Sequence, residues 1–416
     1  MPFPEMALVA QRLHAQPCQD ISGAVQEALK SLELKMSGKA GESVAVGVGS
    51  RGISQIPLIV FECVRFLKEL GLKPFIVPAM GSHGENTRDG EVSVLSSLGI
   101  TESSMGVPID TAGEVMEIGR LDIGVPILMN RCAATASHIV VINRVKPHTK
   151  FRGPIESGLT KMLTIGLGKG SGASVYHRAA VQHTFAILED AADCILKSRS
   201  VLFGLTILED GYQDVARICA VRPENWFEAE RTLLKDARLM MPRIPFNLID
   251  ILIIDEIGKD ISGIGMDSNV TGRHRDIVGN VFAAPNVKRI FVRGLSPGSG
   301  GNGNGIGLAD VTTQRLVDAL DLEKTYTNAL TAISPEKAAI PMHFQTDREC
   351  LEACLNTIGM VKPDSARIIR IKNTLTLDKL MVSRALEGEV ISNPDLGILG
   401  PWAPMGLDDR DNLKDW

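Results

Sequence analysis

Aromatic residues are scarce in this chain of 416 residues, where they make up 4% of the composition. A protein that binds single-stranded nucleic acid stacks the bases on aromatic side chains, so this scarcity argues against that class. The chain also has no block of lysine or arginine, and its formal net charge is -5. A small polar substrate therefore fits better than nucleic acid or an anionic membrane as the main partner.

Long apolar runs are missing as well. No stretch of about 18 apolar residues occurs, and no basic start is followed by an apolar core. We therefore predict neither a membrane span nor a signal peptide, and we expect a cytoplasmic protein. The sequence does not indicate the oligomeric state.

The seven cysteines include no C-x-x-C pair. Scattered thiols in a long intracellular chain are more often buried small apolar residues than metal ligands. Cys350 and Cys354 would share one face of a helix, but no second pair lies near them in the sequence. Their spacing therefore does not predict a zinc site.

The common glycine-rich phosphate motifs are also missing. No G-x-x-x-x-G-K-[ST] occurs, and no G-x-G-x-x-G follows a first strand, so an ordinary NAD site is not predicted. The segment 294–307, GLSPGSGGNGNGIG, remains open to two interpretations. Its backbone amides could hold a phosphate, or it could be a flexible loop or lid.

The length and the order of segments predict an α/β protein. A single core stops growing near about 250–300 residues, so we expect two domains, 1–245 and 246–416. An apolar strand over 43–48, a helix over 56–70 and a strand from Lys73 give a β-α-β order, which implies parallel strands. We predict two lobes, each a mainly parallel sheet flanked by helices, with the active site in the cleft between them. A single helix is predicted over 179–197, and an irregular tail over 393–416.

The stretch 145–177, VKPHTKFRGPIESGLTKMLTIGLGKGSGASVYH, follows the apolar run HIVVINRV. A buried strand that leads into a glycine-rich segment is typical of a ligand crevice in an α/β sheet, because the backbone can approach a ligand closely there. Arg51, His83 and His148 all follow predicted strands. If those strands are parallel, the three side chains meet at one edge of the sheet, although any one of them alone is more often a structural hydrogen-bonding group.

Lys161 lies between a glycine and an apolar run. It is either an exposed surface lysine or, if its neighbours enclose it, a deprotonated amine that acts as a nucleophile or covalent anchor. His274 and the pair Asp255-Glu256 are weaker candidates, since a solvated loop or a strand-end cap explains them.

These elements occur in an order that resembles the nickel-pincer lactate racemase family. The matching segments are GSRG with Arg51, MGSHGENT with His83, KPH with His148, GLTKMLTIGLG with Lys161 and VYH with His177. No one segment is specific, but the ordered set is. The resemblance covers the first lobe well and the second lobe loosely.

The resemblance implies a racemase or epimerase of a 2-hydroxy acid that uses proton-coupled hydride transfer to a nickel-pincer nucleotide (pyridinium-3-thioamide-5-thiocarboxylic acid mononucleotide) carrying Ni. Lys161 would hold this cofactor through a thioamide, and His177 would be the protein ligand to nickel. His83 and His148 would be the paired acid and base. Arg51 would hold the substrate carboxylate or the groups nearby.

Some positions depart from the family pattern. Val48 and Gly52 replace an acidic residue and a proline around the arginine, and Gly84 replaces an arginine. In the second lobe, the expected glutamine and lysine do not follow Lys259-Asp260. We therefore expect that lactate is not the best substrate. Two alternatives remain: a nickel-pincer sugar-acid epimerase or oxidoreductase, and a small-molecule binding protein without a cofactor.

Overall fold

The computed structural model describes residues 3–35, 39–50, 52–81, 87–111, 114–282 and 284–416. The chain divides into two compact units, one formed by Ala15–Met241 and the other by the chain up to His14 together with Pro242–Trp416. This division differs from the expected 1–245 and 246–416 at the N-terminus. The first strand, β1 (Glu5–Gln11), joins the later unit because it forms antiparallel pairs with residues 379–383 and 396–398.

The unit Ala15–Met241 alternates strands and helices. Its elements are α1 (Ile21–Lys30), β2 (Ser43–Val48), α2 (Ile56–Glu69), β3 (Lys73–Pro78), α3 (Arg88–Ser97), α4 (Glu102–Met105), β4 (Val115–Arg120), β5 (Pro126–Asn130), α5 (Arg131–Thr135), β6 (His138–Arg144), α6 (Leu159–Lys161), α7 (Lys169–His183), α8 (Ile187–Ser198), β7 (Val201–Glu209), β8 (Val215–Val221) and α9 (Trp226–Met240). A π-helical turn, Met162–Gly166, connects α6 to the start of α7.

The main sheet of this unit has the order β3-β2-β6-β7-β8, and its first four strands are parallel. Strand β8 runs antiparallel to β7, and β4 and β5 form a separate antiparallel pair. Both faces of the sheet are covered: alternate residues of β6 pack toward α1 and α2 or toward α7 and α8. Burial on both faces explains why these strands are nearly continuous apolar runs.

The prediction of one continuous helix over 179–197 is wrong. α7 ends at His183, Thr184 has a left-handed φ of 60°, and α8 begins at Ile187. The glycine-rich residues 169–172 form the first turn of α7 and not a loop. Small residues fit there because a Cβ on Gly168 would lie 2.5 Å from the carbonyl oxygen of Thr164.

The second unit contains one large mixed sheet. Its elements besides β1 are β9 (Leu248–Ile257), α10 (Ser268–Thr271), β10 (Asn286–Leu295), β11 (Val311–Thr313), α11 (Gln314–Asp318), α12 (Leu322–Thr331), β12 (Met342–Phe344), α13 (Asp347–Leu355), β13 (Ile368–Ile371), β14 (Lys379–Ser383), α14 (Glu387–Ser392), β15 (Leu396–Ile398) and β16 (Ala403–Pro404). The sheet order is β12-β11-β10-β9-β13-β14-β1-β15, with β16 beside β1. Strands β9 to β13 are parallel and the others are antiparallel.

The predicted α/β class, with mainly parallel sheets flanked by helices, is confirmed. The tail predicted to be irregular contributes β15 and β16, because both find a hydrogen-bonding partner in β1. Within the described ranges, the helices are too short or too polar to cross a membrane.

The glycine-rich segment 294–307 packs against the turn 258–266. A Cβ on Gly305 would lie 1.7 Å from the carbonyl oxygen of Ile264, and one on Gly265 would lie 2.5 Å from that of Asn304. The glycines therefore let two backbones touch, and Asn304, Ile306 and Leu308 are buried. This packing does not fit the interpretation of the segment as a flexible loop or lid.

Candidate active site

The carboxyl ends of β2, β3 and β6 lie side by side. Val48 pairs with Pro78 on one side and with Ile142 on the other. The chain after β6 therefore leaves the sheet at the same edge as the chain after β2 and β3. Arg51 and His83, which follow β2 and β3, lie outside the described residues.

The loop after β6 turns back on itself. Lys146 and Ser157 form an antiparallel bridge, with both backbone hydrogen bonds present at 3.0 and 3.3 Å. The bridge closes the loop that carries His148 and returns the chain to α6. This return places Lys161 beside His148, with 3.0 Å between Lys161 Nζ and His148 Nε2.

Both ring nitrogens of His148 have a partner. The backbone N–H of Lys150 donates to Nδ1 at 3.1 Å, and Nε2 lies 3.0 Å from Lys161 Nζ. This contact places an amine, the group that a covalent attachment needs, beside an imidazole that can take up or release a proton.

Glu156 fixes the backbone of the His148 loop. Its side chain is fully buried, and Oε2 accepts the N–H of His148 at 2.6 Å while Oε1 accepts the N–H of Gly153 at 3.1 Å. Arg238 of α9 donates to the same Oε1 at 2.6 Å and to the carbonyl oxygen of Gly153 at 2.9 Å. Charge-assisted hydrogen bonds of this kind hold a loop firmly.

Two phenylalanines link His148 to His177. The rings of Phe151 and Phe185 stack with their centroids 4.1 Å apart. His148 lies 4.5 Å from Phe151, and His177 meets Phe185 edge-on at 5.5 Å. Of the predicted site residues, the structure thus brings His148 and Lys161 into contact and places His177 against the same aromatic pair.

Helix α9 also supports Lys161 through Glu230, which the sequence analysis did not single out. Glu230 Oε2 accepts the N–H of Thr160 at 2.9 Å and also the hydroxyl of Thr160. A Cβ on Gly158 would lie 2.0 Å from Glu230 Oε1, so only glycine fits there. Burial raises the pKa of Glu230 to about 7, although the hydrogen bonds from Thr160 act in the opposite direction.

A sequence signal for Glu230 did exist. In WFEAERTLLKDARLM, the residue lies four positions after Trp226 and three before Leu233, on the apolar face of the helix. A carboxylate on that face needs a buried partner. The other charged residues of this helix suggest a solvated element, and so they hide its buried acid.

The weaker candidates are tied into ion-pair networks of the second unit. His274 Nε2 lies 2.9 Å from Asp276, which is also 3.2 Å from Lys337 Nζ, and all three side chains are fully buried. This burial shows that the explanation of His274 by a solvated loop is wrong. Asp255 accepts hydrogen bonds from Arg293 and Arg370.

The cysteines include three that are buried: Cys63, Cys350 and Cys354. Burial raises the pKa of the Cys63 and Cys350 thiols to about 12. Within the part of the chain that the structure describes, no three His, Cys, Asp or Glu side chains are grouped so that they could hold a metal ion.

Residues 6–187 match a family model described as the lactate racemase N-terminal domain, which confirms the resemblance found in the sequence. A solved structure, the lactate racemase apoprotein from Thermoanaerobacterium thermosaccharolyticum, is similar over 92% of each chain, with 14% sequence identity and a TM-score of 0.47. No curated protein matches the chain.

Proposed function

We propose that this chain, whose residues 6–187 match the lactate racemase N-terminal domain, is an isomerase that racemises or epimerises a 2-hydroxy acid. The observation that carries the proposal is the contact of 3.0 Å between Lys161 Nζ and His148 Nε2 at the edge of the parallel sheet. A nucleophilic amine beside an imidazole is what a covalently attached cofactor and an acid–base step both require.

The residues present fit a nickel-pincer nucleotide. Lys161 offers an amine for the thioamide, and His177 offers an imidazole for nickel. Phe151 and Phe185 place aromatic rings beside both histidines, and aromatic faces attract a cationic ring. When bound, the cofactor would supply the acceptor for the hydrogen on Cα of the substrate.

A side chain of the protein must accept the hydroxyl proton of the substrate and later return it. An imidazole with an ordinary pKa near 6.5 can accept and return a proton at neutral pH. If Lys161 held the cofactor, Nε2 of His148 beside it would be within reach of the hydroxyl of a substrate bound there. We assign to His83 the same proton transfer for the opposite enantiomer of the substrate. We assign to Arg51 the binding of the substrate's carboxylate.

The covalent attachment of the cofactor can be tested by mass spectrometry of protein produced together with the enzymes of cofactor synthesis. We expect an adduct on Lys161 and racemisation of a 2-hydroxy acid larger than lactate or differently charged. Lys161→Arg should remove both the adduct and the turnover, whereas Lys197→Arg, on the exposed end of α8, should keep both. Protein that retains an unmodified Lys161 under these conditions would exclude the proposal in favour of a binding protein.

Replacement of His177 with alanine is expected to remove nickel from the protein without removing the adduct on Lys161. The reason is that His177 would be the ligand to nickel that the protein itself supplies, while the attachment depends on the amine. The measurement is metal content by mass spectrometry of the purified variant, with the adduct followed in parallel. Nickel retained at the wild-type level would show that another residue is the ligand.

A further inference from the structure

A buried ion pair joins α3 to the first residue of α7. Lys169 Nζ lies 2.6 Å from each carboxylate oxygen of Glu91, and the two side chains are 6% and 2% exposed. Moving two charges out of water is costly, and uncharged side chains of similar volume often give equal or greater stability. The pair therefore calls for an explanation other than stability.

The backbone at Lys169 is strained. Its φ is 56°, in the left-handed region that glycine adopts most readily, and glycines stand on either side of it at 168 and 170. Residues with such backbone angles persist only where the surrounding structure holds them, and they cluster at functional sites. Glu91 supplies that hold through both of its oxygens.

The start of the segment that carries His83 packs against the π-helical turn Met162–Gly166. The N–H of Gly81 donates to the carbonyl oxygen of Gly166 at 3.4 Å. A Cβ on Gly166 would lie 2.9 Å from the carbonyl oxygen of Ala79, so a side chain there would push the two backbones apart. The chain that leaves β3 is therefore held close to the turn that follows α6.

The end of the same segment is held by the ion pair. Glu91 lies in the first turn of α3, and Lys169 begins α7, the helix that carries His177. The described residues on both sides of His83 are therefore attached to one connection, which leads from Lys161 to His177.

We propose that the pair of Glu91 and Lys169 positions the segment 81–91, and with it His83, relative to the residues assigned to the cofactor. Both members of the pair act through that segment and contact neither substrate nor cofactor. The proposal rests on the proposed function, in which His83 transfers a proton. Loss of the pair should therefore slow the proton transfer and leave the cofactor attached.

The test uses the full chain loaded with the cofactor and a variant that removes both charges, Glu91→Gln together with Lys169→Met. This neutral-pair variant should unfold at a temperature close to that of the wild type, because uncharged side chains of similar volume replace the pair. Mass spectrometry should still find the adduct on Lys161 and nickel. The kcat should fall about 10–100-fold with a much smaller change in KM, since a small misplacement of a reacting group has an effect of that order.

A second variant, Glu91→Asp, keeps both charges but withdraws the carboxylate by one methylene. Positioning predicts a lower kcat for this folded protein as well, whereas a role in stability alone predicts the wild-type value. The control is Asp193→Asn together with Lys197→Met, which removes an exposed ion pair from α8 and should leave kcat unchanged.

Hydrogen exchange of the full chain without cofactor gives a measurement that does not depend on turnover. Peptides that span residues 81–91 should exchange faster in the neutral-pair variant than in the wild type, because one end of the segment is released. Exchange in α9 should not change.

Three results would overturn the proposal: unchanged exchange across residues 81–91, a normal kcat in the folded and loaded variants, or loss of the Lys161 adduct or of nickel when the pair is removed. Faster exchange, in a protein whose wild type never racemises a hydroxy acid, would support the attachment of the segment and reject the proposed function. Turnover by the wild type with unchanged kcat in both variants would do the reverse.

Discussion

His148→Ala is expected to lower kcat for racemisation by about 10²–10⁴-fold, the usual contribution of a positioned acid or base. The imidazole lies 3.0 Å from the amine that would carry the cofactor, so it is within reach of a substrate bound there. Its Nδ1 accepts the backbone N–H of Lys150 at 3.1 Å, which fixes the direction of the ring. KM should change much less than kcat, because the imidazole would act on the proton in transfer.

The control for this experiment is His183→Ala, which removes an exposed imidazole from the end of α7. It should leave kcat unchanged. In His148→Ala, mass spectrometry should still find the Lys161 adduct and nickel, so that loss of turnover is separated from loss of the cofactor. A normal kcat in a fully loaded His148→Ala protein would show that this residue is not an acid or base in the reaction.

The sequence predicted β2 and β3 well because the parallel strands of the main sheet are buried on both faces, whereas the more exposed β4 was not predicted. Strand β2 was expected over 43–48 and is found at Ser43–Val48, and the strand expected from Lys73 is β3. A continuous apolar run that ends in a glycine turn marks such a strand without any knowledge of its partners. The position of His148 at the carboxyl edge followed from that pattern alone.

The contact between His148 and Lys161 could not be derived from their spacing. A separation of thirteen residues does not determine the distance between two side chains. Here the bridge between Lys146 and Ser157 brings the chain back toward His148. The pairing of β1 with β14 and β15 was likewise hidden, because the partners are more than 350 residues apart in sequence. Long-range pairing leaves no local signal. A local signal can also mislead. The glycines before His177 suggested a loop, but α7 begins there.

The buried acid Glu230 leads to a prediction about stability. Burial raises its pKa from 4.5 to about 7. Between these values the folded chain holds a proton that the unfolded chain has released, so the free energy of unfolding falls as pH rises from about 4.5 to about 7 and then levels off for this group. Glu230→Gln is neutral at every pH and still offers an oxygen to Thr160. The variant should therefore gain stability relative to the wild type as pH rises, by up to about 3 kcal/mol above pH 7, since each pH unit in this window corresponds to about 1.4 kcal/mol.

Denaturant unfolding at pH 5, 6, 7 and 8 measures this difference. Glu228→Gln is the matched control, because Glu228 lies on the same helix but is exposed, and its curves should follow the wild type at each pH. Glu230→Ala should be destabilising throughout, since it leaves the N–H and hydroxyl of Thr160 buried without their acceptor. A constant difference between Glu230→Gln and the wild type from pH 5 to pH 8 would mean that the carboxyl is already ionised at pH 5 in the folded chain. Glu230 would then hold Thr160, and with it Lys161, as a permanent anion.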